Sequence, residues 1–431
     1  MDISRIYDVF CQHPLICTDS RKIQKNCIFI ALKGESFDGN QYAEDAIELG
    51  ASYAIVDNPS FVNSEKYILV SNTLETLQQL ALFHRKRFNI PVIAITGTNG
   101  KTTTKELIAT VLAQKYKVLA TKGNLNNHIG VPFTLFELNK THEIAVIELG
   151  ANHQGEITEL CNLALPEYGI ITNIGKAHLE GFGSFEGIIK AKTELFDFLR
   201  SHSGKVFINY DDDLLMKHAE NLSELTYGSD KNADYRTEIV SNEPFLTLKY
   251  FENNNILNIH SQLIGTYNAG NISAAIAVGR YFGIGSKLIK DAISAYIPQN
   301  NRSQLIDTGR NQLILDAYNA NPSSMEAALN NFIQNPDQPK MFILGEMLEL
   351  GNYSAEEHKR IIEISLQHQP GLKIFIGGGF YRFKNEHPSA LFFLNTQEAK
   401  NWLKHNDKII GYHILIKGSR KNQLESLAEN L

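Results

Sequence analysis

Lys101 and Thr102 stand at the end of a glycine-bracketed turn in residues 91–104, PVIAITGTNGKTTT. That combination handles phosphate. Gly97 and Gly100 free the backbone N–H groups around Thr98 and Asn99 to close on an anion. Lys101 adds a full positive charge, and the Thr102 hydroxyl can ligate Mg²⁺. The helix opening at Thr103 contributes unpaired N–H donors and partial charge. The loop is shorter than the familiar G-x-x-x-x-G-K-[ST] form, because Gly97 lies only three residues before Gly100. A tight strand-to-helix turn with an incidental lysine is the plain alternative. Against it, strand, glycines, lysine, hydroxyl and helix all occur in the order a phosphate loop requires.

A phosphate loop binds a nucleotide without naming a reaction. Transfer of a γ-phosphoryl group also needs magnesium ligands and a further cation. Carboxylates that end strands are the usual magnesium anchors, and both Glu148 after AVI and Asp316 after LIL are available. The local pattern does not choose between them, and either could be an ordinary strand-end acid. Asn268 and Asn271 share a face at a helix start, where they could read the edge of adenine or serve as an N-cap and a surface residue. Arg302 could reach over a phosphate or form a salt bridge. The polar stretches TDSR (18–21) and GESFDG (34–39) could hold a ligand or be simple turns.

The elements that must position these groups read as α/β throughout. Residues 1–88 alternate short apolar runs with two helical patterns and form a small α/β domain. From residue 89 strand and helix alternate as in a mostly parallel, P-loop-type sheet, with Glu148 and His178 on the same rim as the phosphate loop. Apolar runs separated by Asn/Asp/Gly turns in 203–262 predict an antiparallel β extension of this central domain, 89–298. The stretch IPQNN (297–301) reads as a linker, with Pro298 as a hinge. Residues 299–431 alternate once more, with glycines at strand ends, and predict a doubly wound, Rossmann-like domain.

Composition narrows the classes. A chain of 431 residues has room for three cores, and 43% hydrophobic with 20% charged residues is ordinary globular composition. There is no apolar run of about 18 residues, so no membrane span is expected. The opening MDISRIYDVF shows no basic stretch followed by an apolar one, so export is not expected. A net charge of −6 without a basic block argues against nucleic acid as a partner. Cys11, Cys17, Cys27 and Cys161 form no C-x-x-C pair and read as reduced thiols of a cytoplasmic protein.

The segments GTNGKTT, GNLNNHIGVP, AVIELGANHQGEI, AHLEGFGSFEGIIKAKTELF, GTYNAGNISAA and DAYNANPSSM together resemble the Mur ligase family. TDSR and FIALKGESFDG resemble its N-terminal UDP-substrate domain, while FILGEMLELG and ILIKGSR resemble its C-terminal one, so the likeness spans nearly the whole chain. The short loop is the family's own form. GNLNN-x-IGVP, ELGANHQGEI and YNANP-x-SM point to the branch that adds a dipeptide.

The resemblance implies a monomeric three-domain enzyme that uses ATP to join D-Ala-D-Ala to UDP-MurNAc-tripeptide through an acyl phosphate. It also implies roles. Lys101 would cradle the β and γ phosphates, Thr102 and Glu148 would hold one Mg²⁺, and His178 would help hold a second. Lys192, by itself an ordinary lysine on an amphipathic helix, matches the family's carbamylated lysine and would complete the metal arrangement. Asn268 and Asn271 would contact adenine, Asp316 the ribose and Arg302 the γ-phosphate. Asp19, Ser20 and Arg21 would hold the UDP end, Asn126 and Asn127 the sugar-peptide, and Asn319 and Asn321 the dipeptide side. Two departures stand out: Tyr267 where many relatives have histidine, and Asn40 in place of the histidine of an FDGH-like turn. The rival readings are a sister amino-acid ligase and a P-loop switch acting through partners; the switch would make Asp316 the metal ligand.

Overall fold

Strands buried on both faces set the architecture. In the computed structural model, which describes residues 2–431 except 253–254, 300, 335–338, 368–370 and 407, three large sheets carry the chain. Asn300 of the expected linker therefore lies outside the described residues. The first sheet is parallel and runs Ile16–Cys17, Ile28–Ile30, Tyr53–Val56 and Tyr67–Leu69 in sequential order. The helices Ile3–Gln12, Ala43–Glu48 and Thr73–Arg85 accompany it.

The second sheet has nine strands, and the phosphate loop leaves one near its middle. Val92–Thr96 pairs in parallel with Ile144–Glu148 on one side and Tyr168–Ile171 on the other. Alternate side chains of a strand face opposite ways, and both faces here are apolar. Val92 and Ala94 join a core with Leu160 and Leu195, while Ile93 and Ile95 join another with Leu107, Ile108 and Ile276. Helices thus cover both sides, as a parallel sheet demands.

Beyond Tyr168–Ile171 the sheet corrects the expectation of an antiparallel extension over 203–262. Lys205–Asn209 and Ser223–Gly228 are parallel members, and only Tyr235–Asn242, Leu246–Glu252 and Asn255–His260 pair antiparallel with one another. The reason is the helix Asp213–His218, capped by the Asp212 side chain on the Leu215 N–H at 3.0 Å. It supplies the crossover that a parallel pair needs.

The third sheet has six strands in the order Gln304–Asp307, Gln312–Asp316, His413–Lys417, Lys340–Gly345, Gly371–Ile376, Leu391–Phe393. Only Gln304–Asp307, where the sequence suggested no strand, runs antiparallel. The last long strand inserts between Gln312–Asp316 and Lys340–Gly345. Such an order reversal opens a crevice at the carboxyl ends of the strands. The helix Pro322–Ile333 contributes Met325 and Leu329 to the same apolar cluster as the central sheet, so the second and third units pack together.

Candidate active site

The phosphate loop owes its shape to two positions where a side chain has no room. Gly97 has φ +138° and a Cβ there would lie 2.1 Å from Thr172 Oγ1; Gly100 has φ +79° and its Cβ would lie 2.6 Å from Asn271 Oδ1. Asn173 fixes the loop between them, its Oδ1 accepting from the Asn99 N–H at 3.0 Å and its Nδ2 donating to the Asn99 carbonyl at 3.0 Å. The helix Lys101–Leu112 starts directly after Gly100. Lys101 folds back, with Nζ donating to the carbonyls of Gly97 at 2.7 Å and Thr98 at 3.0 Å. Desolvation lowers its pKa from the ordinary lysine value; Glu148 opposes that shift and Arg302 adds to it.

Glu148 ends the neighbouring strand in register with Ile95. It is 2% exposed, its backbone N–H bonds Thr121 Oγ1 at 3.0 Å, and Oε1 accepts from Asn126 Nδ2 at 2.8 Å. Its Oε2 is buried with no partner. A buried carboxylate oxygen left without a donor is costly unless a cation or a donor arrives. The buried Thr102 opens the adjacent helix. Asp316, the other candidate, sits across the cavity and is held by Lys417 Nζ at 2.6 Å. Of the two acids, Glu148 is the one with a buried oxygen that lacks a partner, whereas Asp316 already holds a cation.

Lys192 lies on the helix Phe185–Ser201 with 2% exposure, its Nζ 3.5 Å from the Ala151 carbonyl and 5.3 Å from the centre of the Phe182 ring. Burial, reinforced by the charge of Lys101 and opposed by Glu156 and Glu194, brings its pKa down to about 7. At neutral pH this is an amine with a substantial unprotonated fraction. His178 stands in the left-handed region at φ +50° and forms an ion pair with Glu349, a residue of the third unit. That imidazole lowers the Glu349 pKa.

These groups face one cavity of about 710 Å³ between the second and third units. Its wall includes Thr98, Asn99, Gly100, Lys101, Thr102, Thr103, Asn126, Asn127, Glu148, His178, Asn268, Asn271, Arg302, Asp316, Asn319 and Asn321. Gly97 and Lys192 are not among its lining residues. Asp19, Ser20 and Arg21 are elsewhere, on the first unit, where Arg21 Nε bonds Asp19 Oδ1 at 2.8 Å in an exposed turn.

Several asparagines brace the site. Asn271 Nδ2 donates to Asn268 Oδ1 at 2.7 Å, Asn268 Nδ2 to the Ile264 carbonyl at 2.8 Å, and Thr104 Oγ1 to Asn271 Oδ1 at 2.9 Å. The pair is buried and ties the helix Ala269–Tyr281 to the phosphate helix; Asn268 occupies the N-cap position without a side-chain capping bond, and Asn271 is not a surface residue. Asn127 Oδ1 accepts from the N–H groups of Ile129 and Gly130 at 3.1 and 2.8 Å. Asn321 caps the helix Pro322–Ile333 and donates across the boundary to Asn99 Oδ1 at 2.9 Å. Asn319 Oδ1 accepts from the Ala320 N–H at 2.9 Å. Tyr267 also lines the cavity, its hydroxyl 3.0 Å from Ser303 Oγ. Asn40 is fully buried and bridges Asp38 and Asp57 within the first unit.

Sequence reasoning missed Lys417, which lines the cavity in register with Asp316, and Tyr318, whose ring lies 3.8 Å from Arg302 Cζ. A lysine closing the apolar run HILIK was the available signal for the first.

Three family models match the chain: Mur ligase family, catalytic domain, over residues 14–96; Mur ligase middle domain, over 95–279; and Mur ligase, glutamate ligase domain, over 301–368. The chain is 36% identical to the UDP-N-acetylmuramoyl-tripeptide–D-alanyl-D-alanine ligase of Bacillus subtilis, across 96% of the chain and 92% of that protein. Among solved structures it is similar to MurF from Acinetobacter baumannii, with a TM-score of 0.88 at 31% identity, covering 96% of this chain and 92% of that one. It is also similar to MurF ligase from Thermotoga maritima in complex with ADP, with a TM-score of 0.86 at 25% identity, covering 98% and 97%.

Proposed function

The chain belongs to the Mur ligase family, and we propose that it joins D-alanyl-D-alanine to the tripeptide carboxylate of UDP-N-acetylmuramoyl-tripeptide at the expense of ATP. The observation that carries this reading is the cavity itself. A phosphate loop, the half-satisfied Glu148 and the free edge of Arg302 converge there from two units. In the first step a tripeptide carboxylate oxygen attacks the γ-phosphorus and the bond to ADP breaks, giving an acyl phosphate. In the second the dipeptide amine attacks the acyl carbon, phosphate leaves, and the nitrogen loses a proton.

The family likeness suggests a contribution for each residue. Lys101, once its contacts with the loop carbonyls give way to phosphate oxygens, would neutralise charge on the β and γ groups. Arg302, whose Nε is buried without a partner, would approach the γ-phosphate from the opposite wall. Such charge placement is the main source of catalysis in phosphoryl transfer. The braced Asn268 and Asn271 would border the adenine and Asp316 the ribose. Asn126, Asn127, Asn319 and Asn321 would frame the two reacting peptides. The exposed turn at Asp19, Ser20 and Arg21 would receive the UDP end, away from the chemistry.

Magnesium fits the residues present. Among the described residues no three carboxylate, imidazole or thiol groups converge, so Thr102 and Glu148 would hold an ion only together with phosphate oxygens, as Mg²⁺ prefers. The ion would supply neutralisation of phosphate charge. The low pKa of Lys192 suits a carbamate, because only the neutral amine adds CO₂; that carboxylate and His178 would serve a second ion. His178 would then have to part from Glu349. No helix among the described residues is long and apolar enough to cross a membrane. We take the protein to act as a cytoplasmic monomer, where ATP and a nucleotide-linked precursor meet.

The test is to incubate the protein with ATP, Mg²⁺, UDP-MurNAc-tripeptide and D-Ala-D-Ala and to analyse the products by mass spectrometry. Pentapeptide, ADP and phosphate are expected in equal amounts. Product with a free amino acid but none with the dipeptide would reassign the chain to a sister ligase.

A further inference from the structure

Tyr318 stands in the cavity wall just past the strand Gln312–Asp316, and its ring bears two arginines. Arg302 Cζ lies 3.8 Å from the ring centroid and Arg420 Cζ lies 5.5 Å from it. Both fall inside the roughly 6 Å over which an aromatic face attracts a guanidinium. The two come from remote parts of the chain, Arg302 from the end of the linker and Arg420 from the turn after His413–Lys417.

That turn is pinned on both sides. Ser419 Oγ donates to the Glu346 carbonyl at 2.9 Å, Asn422 Nδ2 donates to the same carbonyl at 3.0 Å, and Lys417 is bonded to Asp316. Arg420 itself is exposed and, among the described residues, forms no ion pair, whereas Lys176 and Lys417 beside the cavity are each joined to a carboxylate. The backbone is fixed while the planar fork is left open. A fork of this kind matches a carboxylate through two parallel hydrogen bonds.

The ligase reading, on which this step rests, requires an acceptor with an amine at one end and a carboxylate at the other. Its amine must reach the acyl carbon, next to the phosphates and therefore next to Arg302. Extended, a dipeptide then places its carboxylate about 7 Å away. Arg302 and Arg420 both lie against this one ring. We propose that Arg420 receives the terminal carboxylate of the acceptor dipeptide, with Tyr318 as the positioning residue that spaces it from the phosphate-facing Arg302. A single amino acid carries its carboxylate on the same carbon as its amine and reaches less far from the acyl carbon. A dipeptide amide lacks the charge. The arrangement therefore selects acceptors by both length and terminal charge.

Steady-state kinetics of the full chain with D-Ala-D-Ala and with its C-terminal amide test this directly. The unmodified enzyme should favour the acid by about 10- to 100-fold in kcat/KM, as loss of a hydrogen-bonded charge pair implies. In Arg420→Gln the KM for D-Ala-D-Ala should rise by a similar factor, the KM for ATP should stay within about twofold, and the preference for acid over amide should collapse to about one. Arg420→Lys, which keeps the charge and loses the fork, should fall between. An undiminished acid preference in Arg420→Gln, or a rise confined to the KM for ATP, would overturn the assignment. So would an unmodified enzyme that uses acid and amide equally. Absence of any pentapeptide from the unmodified enzyme would instead sink the ligase reading.

Discussion

The two walls of the cavity handle charge in opposite ways. On the central side Glu148 Oε2 has no partner, Lys192 meets a carbonyl at 3.5 Å and the Phe182 ring but, among the described residues, no carboxylate, and Lys101 is turned onto its own loop. On the facing wall Lys417 and Asp316 are matched at 2.6 Å in adjacent strands, and Arg302 and Arg420 lie on one tyrosine ring. The central groups all hang from one sheet and its helices, which hold them together however the third unit is placed. They can be kept short of partners until ligands arrive, which is how a site is preorganised. The facing groups belong to a separate unit, joined to the central one by polar bonds such as Asn321 to Asn99, Lys176 to Glu357 and Asn242 to Asn331. Internal pairing lets that wall stay formed whether or not it meets its partner. Arg302 Nε is the exception on the facing wall, and it is the group assigned to the phosphate.

This contrast can be broken by mutation. Glu148→Gln keeps the bond from Asn126 and removes only the charge. It should lower kcat for ADP formation by about three orders of magnitude, or about 4 kcal/mol of transition-state stabilisation, while thermal unfolding stays at or above the parent temperature. A fall of less than tenfold would mean that the unpartnered oxygen has no metal to hold. Lys417→Met should do the reverse and act first on stability. It leaves the carboxylate of Asp316, 16% exposed, without its cation, and should cost about 2–3 kcal/mol, seen as a lower midpoint in thermal denaturation. Adding Asp316→Leu should restore most of the loss, since replacing a whole pair by apolar groups is far milder than halving it. An unchanged midpoint in the single variant would show that this wall is not held by its own pairing.

What could be read from the sequence was local. Strand, glycines, lysine and helix succeed one another within fourteen residues, so the strand–loop–helix order of this segment was legible. The α/β character and three-sheet organisation followed from alternating patterns. Pairings between distant strands were not legible: Asp316 and Lys417 meet only because two parallel strands align in register 101 residues apart. Nor was the parallel start of the 203–262 region, because Ser223–Gly228 is a short strand of mixed polarity that hides behind a one-and-a-half-turn helix. The partner of His178 comes from the EMLELG loop of another unit, and the bracing of Glu148 by Asn126 depends on a loop folding over a strand end. Lys192 looked like a solvated lysine because its neighbours in sequence do not bury it; Phe182 and Ala151 do.

Lys192 gives the finest test of the contrast, because its effect on stability has a definite sign in pH. Its pKa is about 7 in the folded chain against an ordinary value of 10.5. Between those values the unfolded chain holds a proton that the folded chain lacks, so stability rises with pH across that window, and below about 7 the burial penalty is fully present. Lys192→Met cannot ionise and removes the slope. In bicarbonate-free buffer the variant should be more stable than the parent by on the order of 1–2 kcal/mol at pH 6, with the advantage shrinking steadily toward pH 10. It should also lack turnover if the amine carries the carbamate. A variant that melts below the parent at pH 6 would mean that the lysine is satisfied by its surroundings, and that the central wall is not the one kept short of partners.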